Sequence, residues 1–228
     1  MNVAIVPARG GSRRIPKKNI RSFCGRPIIE YTIEAALKST SVDMVFVSTD
    51  DSTIEEIGKE MGAQSIGLRS RDLSDDQSGT TDVIRYEISR LFEIGLEPEF
   101  IAEIYPTAPF LKGSTIDAAF RTLLQSSDTY FAFTATYFSY PVQRGFFVES
   151  GVCTPLFENE FNRRSQDLER VYHDAGQLYW GSTDSWLTRN FRFDKNALPV
   201  VISPTEAWDI DTEEDWYIAE AMYRVSHS

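Results

Sequence analysis

Four short apolar runs, each set among segments of helical spacing, constrain this chain more than any other feature. Val3 to Val6 is the first, closed by Pro7 and then by Gly10 and Gly11; an apolar run cut off by proline and glycine reads as a buried strand. The next segment, RPIIEYTIEAALKST, places Ile29, Ile33, Ala36 and Leu37 at helical spacing, with Pro27 suited to a first turn. Met44 to Thr49 reads as a strand, DSTIEEIGKEMG as a helix stopped by Gly62, and TTDVIRYEISRLFEIG as a helix ending at Gly95. Phe100 to Tyr105 then reads as a strand, GSTIDAAFRTLLQ as a helix and Tyr130 to Ala135 as a strand. This order predicts an α/β fold: a mostly parallel sheet flanked by helices, since parallel neighbours need crossover connections.

The regularity fails between about Ser139 and Asp174, where aromatic, polar and charged residues mix with no sustained period. The aromatic content is high for disorder, so an ordered excursion from the sheet is expected. Regular pattern resumes at GQLYWGS and again at PVVIS. With 228 residues, 42% of them hydrophobic, and no repeat or linker-like run, the chain suits one domain spanning 1–228 with a single substantial core.

Charge singles out the loop after the first strand. From Arg9 to Arg21 it carries six cations (Arg9, Arg13, Arg14, Lys17, Lys18, Arg21) and no acid, in a chain with 23 basic and 34 acidic residues and a net charge of −11. A local reversal of sign indicates an anionic ligand, and the loop leaving the first strand of an open parallel sheet is where such folds bind nucleotides. Gly10 and Gly11 let backbone amides approach phosphate, Arg9 and Lys18 neutralise it, and Ser12 and Asn19 add hydrogen bonds. The alternative is a solvated basic turn; the density of cations at this place favours a polyphosphate cradle. It is neither a P-loop nor a dinucleotide fingerprint, because GxxxxGK[ST] and GxGxxG are both absent there. The acidic total argues against nucleic acid as a partner. Two cysteines, Cys24 and Cys153, form neither a metal cluster nor a disulfide framework, so a reducing cytoplasm is expected. The opening apolar run is too short to span or cross a membrane.

The stretch IVPARGGSRRIPKKN resembles the signature of the cytidylyltransferases that activate acidic eight-carbon and nine-carbon sugars. FCGRPIIEYTIEAA, VSTDD, IYPTAPF, RRSQDLERVYHDAGQLYW and DIDTEEDW extend that similarity nearly end to end, and IYPTAPF and YHDAGQ are most similar to the branch that acts on pseudaminic acid, a sugar of bacterial surface glycans such as those on flagellin. The resemblance implies a Rossmann-like nucleotidyltransferase fold with a dimerisation excursion, a cytoplasmic homodimer, CTP and an acidic nine-carbon sugar as substrates, and Mg²⁺ as cofactor. In the implied reaction the anomeric hydroxyl of a 2-keto acid sugar attacks the α-phosphorus of CTP and pyrophosphate leaves. Such catalysis rests on positioning and charge stabilisation. Arg9, Ser12 and Lys18 are thereby expected at the phosphates, with Gly10 and Gly11 beside them, and Asn19 and Arg69 at the nucleotide. Arg9, Lys18 and Asp211 are the residues expected to carry catalysis.

Asp209 and Asp211 are spaced by two, so an extended segment points both carboxylates to one side, suited to Mg²⁺. Helix capping by Thr212 and Asp215, with Trp216, Ala219 and Tyr223 as the buried stripe, is the competing reading, and both can hold. Asp50 and Asp51 read first as helix caps and second as nucleotide contacts. By resemblance, Tyr105, Arg163, Arg164, Gln166, Asp167 and Tyr179 are sugar-binding, with Tyr172 and His173 beside them; guanidinium suits a carboxylate. The excursion is also expected to contact a partner subunit. Tyr105 and Ala175 stand where the sialic acid enzymes are expected to carry amide side chains, which favours a different sugar. A glycosyltransferase would place its carboxylate pair midway along the chain, and a silent nucleotide-binding subunit would lack Arg9, Lys18 or Asp211.

Overall fold

The structure, a computed structural model, describes residues 1–12, 14–70, 73 and 79–227. Its centre is a six-stranded sheet in which β1 (Asn2–Pro7) lies between β4 (Met44–Ser48) and β5 (Phe100–Ile104), all parallel. Beyond β5 come β9 (Tyr172–Ser182), β6 (Phe131–Tyr137) and the edge strand β10 (Ala197–Val201). β9 runs antiparallel to both neighbours, while β10 is parallel to β6. Pro199 is tolerated in β10 because an edge strand leaves one row of backbone groups unpaired.

Side-chain alternation along β1 explains the helices on both faces. Ala4 and Val6 pack with α1 (Ile28–Leu37), α2 (Ser52–Glu60) and α4 (Gly113–Leu123), whereas Val3 and Ile5 pack with α3 (Thr80–Glu93) and α5 (Thr183–Thr188). Ile84, Ile88 and Leu91 of α3 are buried at the helical spacing read from the sequence. Pro27 sits just before α1, whose first helical residue is Ile28.

The excursion is ordered. It contains a hairpin of β7 (Phe146–Glu149) and β8 (Val152–Pro155), with single 3-10 turns at Val142–Arg144 and Ser165–Asp167. Its sheet-side boundary lies inside the expected one: β6 and β9 continue past a bulge and pair Ala135 with Asp174, Thr136 with His173 and Tyr137 with Tyr172. Alternating polar and aromatic residues there conceal a strand from a search for apolar runs.

A third cluster positions the site. Phe23, which closes the small hairpin of β2 (Ser22–Phe23) and β3 (Arg26–Pro27), packs edge-on against Tyr31, Trp216 and Tyr223. Trp216 and Ala219 belong to α6 (Glu213–Ser226) and are almost completely buried; burying a large apolar side chain contributes roughly 2 to 3 kcal/mol. Arg21 lies over the Trp216 ring at 4.6 Å and pairs with Glu213 at 2.6 Å. The capping box of Thr212 and Asp215 starts α6 as the sequence suggests, with Thr212 accepting from the Asp215 amide at 3.2 Å. The segment just before α6 is thereby held against the loop that follows β1. Among the described residues no helix is long and apolar enough to cross a membrane.

Candidate active site

β1 is the switch point of the sheet: the chain passes from it to β4 on one side and later to β5 on the other, leaving a crevice at the C-terminal strand ends. A cleft of about 370 Å³ opens there, lined by the loop after β1, Arg69, Thr80 at the start of α3, Tyr105 to Thr107 after β5, and Asp209 and Asp211 before α6.

The loop is pinned at several points. Ala8 donates its amide to the Ser48 carbonyl at 2.8 Å, Gly10 donates to Asp50 Oδ1 at 2.8 Å, and Asn19 Nδ2 donates to the Arg9 carbonyl at 2.9 Å. Ile15 is fully buried in the cluster under α6, and Lys17 turns the chain with a φ of 52°. Gly10 is required by close approach: a Cβ there would stand 2.9 Å from both Cβ and Oδ2 of Asp51. Asp51 caps α2, accepting from the amides of Thr53 at 2.8 Å and Ile54 at 3.3 Å. The two adjacent aspartates therefore divide the work. One starts the helix, as its sequence position implies, and the other holds the loop, which neighbouring residues in the sequence do not signal. Because the Gly10 amide is taken by Asp50, the glycine's visible task is to bring loop and helix together. Neither Gly10 nor Gly11 lines the cleft.

Arg9, Ser12, Lys18, Asn19, Arg69, Tyr105, Asp209 and Asp211, all singled out in the sequence, meet on the cleft wall. Arg69 is buried, not an exposed loop charge: its Nη1 donates to the Ser48 hydroxyl at 2.9 Å. Burial lowers its pKa, with the charges of Asp50 and Glu87 opposing that shift. Lys18 Nζ donates to the Ile210 carbonyl at 2.6 Å and approaches Asp211 Oδ1 at 3.4 Å. Arg14, which the motif reading counted among the cations without giving it a site role, pairs with Asp211 Oδ2 at 2.6 Å. Arg13 lies outside the described residues.

Asp209 and Asp211 flank Ile210, which is fully buried, so both carboxylates share the cleft side as the spacing predicts. Desolvation against the wall, followed by the charge of Asp211, raises the Asp209 pKa. Gly176, at a φ of 62°, leaves room beside the Asp209 carboxylate; a Cβ there would come within 3.9 Å of Cγ. Among the described residues no group of three His, Cys, Asp or Glu side chains is gathered as a metal site. Two converging carboxylates with mutual repulsion nevertheless fit a hard divalent cation that takes its remaining ligands from water and phosphate.

At and behind the cleft wall are groups that the motifs did not reveal. Glu103 is buried on β5, and loss of solvent pushes its pKa up to about 8. Tyr105, pushed up to about 12 by burial and by Glu103, stands 5.7 Å from Tyr179, ring centre to ring centre. Tyr179 lies behind Tyr105, off the cleft wall, and donates its hydroxyl to Asp174. An acid inside the otherwise apolar FIAEIY was the one available signal for Glu103. Thr80 carried none.

Arg163, Arg164, Gln166 and Asp167 do not line the cleft of their own chain. Arg163 pairs with Glu160 at 2.6 Å and donates to the Asp167 carbonyl at 2.5 Å, within the excursion. Tyr172 and His173 also lie off the cleft, and His173 packs against Phe138 at 4.6 Å between ring centres.

The architecture is shared with solved structures of nucleotidyltransferase fold. The structure solved as CMP:2-keto-3-deoxy-manno-octonic acid synthetase complexed with CTP aligns with a TM-score of 0.74, covering 99% of both chains at 15% identity. The family model described as Cytidylyltransferase matches residues 3–191. The pseudaminic acid cytidylyltransferase of Campylobacter jejuni subsp. jejuni serotype O:2 is 38% identical over 227 residues, 99% of this chain and 97% of that protein. The CMP-N,N'-diacetyllegionaminic acid synthase of Legionella pneumophila subsp. pneumophila is 30% identical, with 98% and 97% covered. The chain belongs to the cytidylyltransferase family, and it is an enzyme of that class.

Proposed function

We propose that the chain transfers CMP from CTP to the anomeric hydroxyl of pseudaminic acid, forming CMP-pseudaminic acid and releasing pyrophosphate. The observation that carries this reading is the gathering, on the wall of one cleft, of Arg9, Arg14, Lys18 and Arg69 with the Asp209 and Asp211 pair. Four cations suit the triphosphate, whose charge grows on the leaving pyrophosphate as the bond to the α-phosphorus breaks. Arg9 and Lys18 stabilise that charge, Ser12 contributes a hydrogen bond, and Asn19 holds the loop backbone in register beneath the nucleotide. Asp209 and Asp211 would hold Mg²⁺, which when bound neutralises phosphate oxygens and orients them for in-line displacement. Arg14 and Lys18 contact Asp211 in this structure, so a cation held by the carboxylates would share Asp211 with them or displace them toward phosphate.

The choice of sugar rests on the full-length similarity to the Campylobacter protein and on Tyr105 and Ala175, which offer no amide to the acceptor. The excursion exposes Phe146, Phe147, Val148 and Val152 on its hairpin, a patch suited to a second copy in a homodimer. Arg163, Arg164, Gln166 and Asp167 then reach a sugar through the partner's cleft. CTP as substrate and the free Cys24 and Cys153 are in keeping with work in the cytoplasm. Pyrophosphate release from CTP with pseudaminic acid and with N-acetylneuraminic acid tests the reading. Efficient use of the first and much poorer use of the second is expected; comparable kcat/KM values overturn the sugar assignment, and no release with any 2-keto acid sugar overturns the reaction.

A further inference from the structure

The stretch of cleft wall that follows β5 is made by Tyr105, Pro106 and Thr107, which present hydroxyl and apolar surface and no charge. Its backbone is irregular and runs into the core, where Ala108 is 1% exposed, so the polar groups of the turn need partners from elsewhere in the fold. Pro106 and Pro109 have no amide to donate. The Tyr105 amide donates to the Gln177 carbonyl of β9 at 2.9 Å, and the Ala108 carbonyl accepts the Leu111 amide at 3.1 Å. The Tyr105 carbonyl and the Ala108 amide, three residues apart, both meet one side chain. Thr32, fully buried in the middle of α1, donates its hydroxyl to the Tyr105 carbonyl at 3.1 Å and accepts from the Ala108 amide at 3.3 Å.

We infer that Thr32 is a positioning residue for the acceptor side of the cleft: its hydroxyl clamps both ends of the turn at 105–108 and so fixes where Tyr105 and Thr107 stand. This rests on the cytidylyl-transfer reading, in which the cations hold the triphosphate and the uncharged wall faces the sugar acid. Packing of α1 gives no reason for a hydroxyl at this place. Ile29, Ile33 and Ala36, on the same buried helix, are apolar and share a cluster with Ala108 and Leu111. A buried hydroxyl costs free energy unless its hydrogen-bonding groups are engaged, and here both partners belong to the turn and neither to the helix. Threonine inside a helix commonly donates to a carbonyl one turn back; Thr32 directs its single proton to Tyr105 instead. A buried helix thereby lends its rigidity to an irregular wall that has two prolines and no ladder of its own.

Thr32→Val keeps the shape of the side chain and removes both hydrogen bonds, whereas Thr32→Ser keeps the hydroxyl and removes a methyl group. Pyrophosphate release is measured with each substrate varied in turn, beside thermal unfolding. Thr32→Val should raise KM for the sugar acid roughly tenfold, the factor that about one net hydrogen bond of lost preorganisation represents, with kcat falling less and KM for CTP unchanged. Thr32→Ser should bring KM for the sugar acid back near the wild-type value. A hydroxyl with a structural role alone would lower the unfolding temperature of the valine variant and leave both KM values as they are, and that result overturns the inference. Equal rises in KM for the two substrates overturn it as well, as does a serine variant as impaired as the valine one. Should the valine variant not fold, Thr32→Ala measured against Thr32→Ser carries the same comparison. Absence of pyrophosphate release by the wild type with any 2-keto acid sugar removes this inference and the functional reading together, whereas release with an unimpaired valine variant removes this inference only.

Discussion

The Glu103→Gln substitution should change how stability depends on pH, through a mechanism that needs no substrate. In the folded protein Glu103 keeps its proton up to about pH 8, against 4.5 for an ordinary glutamate. Between those values the unfolded chain has released a proton that the folded chain still binds, so raising the pH favours unfolding. The stabilising contribution is complete below about pH 4.5 and is lost as pH rises through about 8. At about 1.4 kcal/mol per pH unit the window is worth about 5 kcal/mol. Glutamine has no proton to hold, so the stability of the variant minus that of wild type should grow by about this amount from pH 4.5 to 9, whatever the other carboxylates do in both proteins. Urea unfolding followed by tryptophan fluorescence measures it, since Trp180, Trp186 and Trp216 are all buried. With a slope of roughly 2 to 3 kcal/mol per molar, the difference in midpoints should widen by about 2 M. If glutamine prevents folding, Glu103→Met, similar in length and unable to titrate, serves in its place. Parallel stability curves for wild type and variant would show that Glu103 ionises normally, and the reasoning would fail.

Three further outcomes follow from the cleft. Asp211→Asn removes the charge that Arg14 and Lys18 contact, so activity should fall at least tenfold and the Mg²⁺ needed for half-maximal rate should rise; unchanged metal dependence would leave the DIDTEEDW segment with its capping role alone. Gly10→Ala forces a methyl group to 2.9 Å from Asp51, so the loop or the start of α2 must shift, at a cost of roughly 1 to 3 kcal/mol in thermal unfolding and with a higher KM for CTP; a variant equal to wild type in both would refute the close-approach argument. Light scattering at assay concentration should give a dimer, and replacing Phe147 and Val148 with aspartate should yield a monomer; a monomeric wild type would count against the excursion as an interface.

The fold was legible because its strands announce themselves. β1, β4 and β5 are buried on both faces, and such strands must be apolar along their length, which is the pattern that a search for short runs detects. β9 was legible only in part. GQLYWGS marks its buried half, but Tyr172, His173 and Asp174 pair with β6 where solvent reaches the sheet, and their side chains carry no periodic apolar signal. The basic wall of the cleft followed from a local motif, since Arg9 to Asn19 is one continuous loop. Asp50 and Arg14 were singled out without the contacts they make, with the Gly10 amide and with Asp211, because those depend on which loop the fold brings opposite them. The excursion was least legible: Arg163 to Asp167 read as pocket residues by resemblance, yet their own chain holds them away from its cleft, and the sequence there carries no periodic signal to place them.

The position of Asp209 and Asp211 shows how a distant pair is delivered to a local motif. Nearly two hundred residues separate them from Lys18, and no sheet strand carries them; they stand in an extended segment ahead of α6. What fixes that segment is the packing of Ile210 and Trp216 with Ile15 and Phe23, residues of the basic loop and of the hairpin that follows it. The polar contacts then repeat the same message, with Lys18 on the Ile210 carbonyl, Arg21 on Glu213 and the Cys24 amide on Glu220 Oε1 at 2.8 Å. A part-exposed ion pair such as Arg21 with Glu213 contributes little stability by itself, so the apolar cluster supplies most of the holding energy and the polar contacts supply the register. The loop's apolar residues thus belong to the catalytic argument as much as its arginines: a smaller side chain at Ile15 would loosen Asp209 and Asp211 relative to Arg9 and Lys18 without touching any of the four.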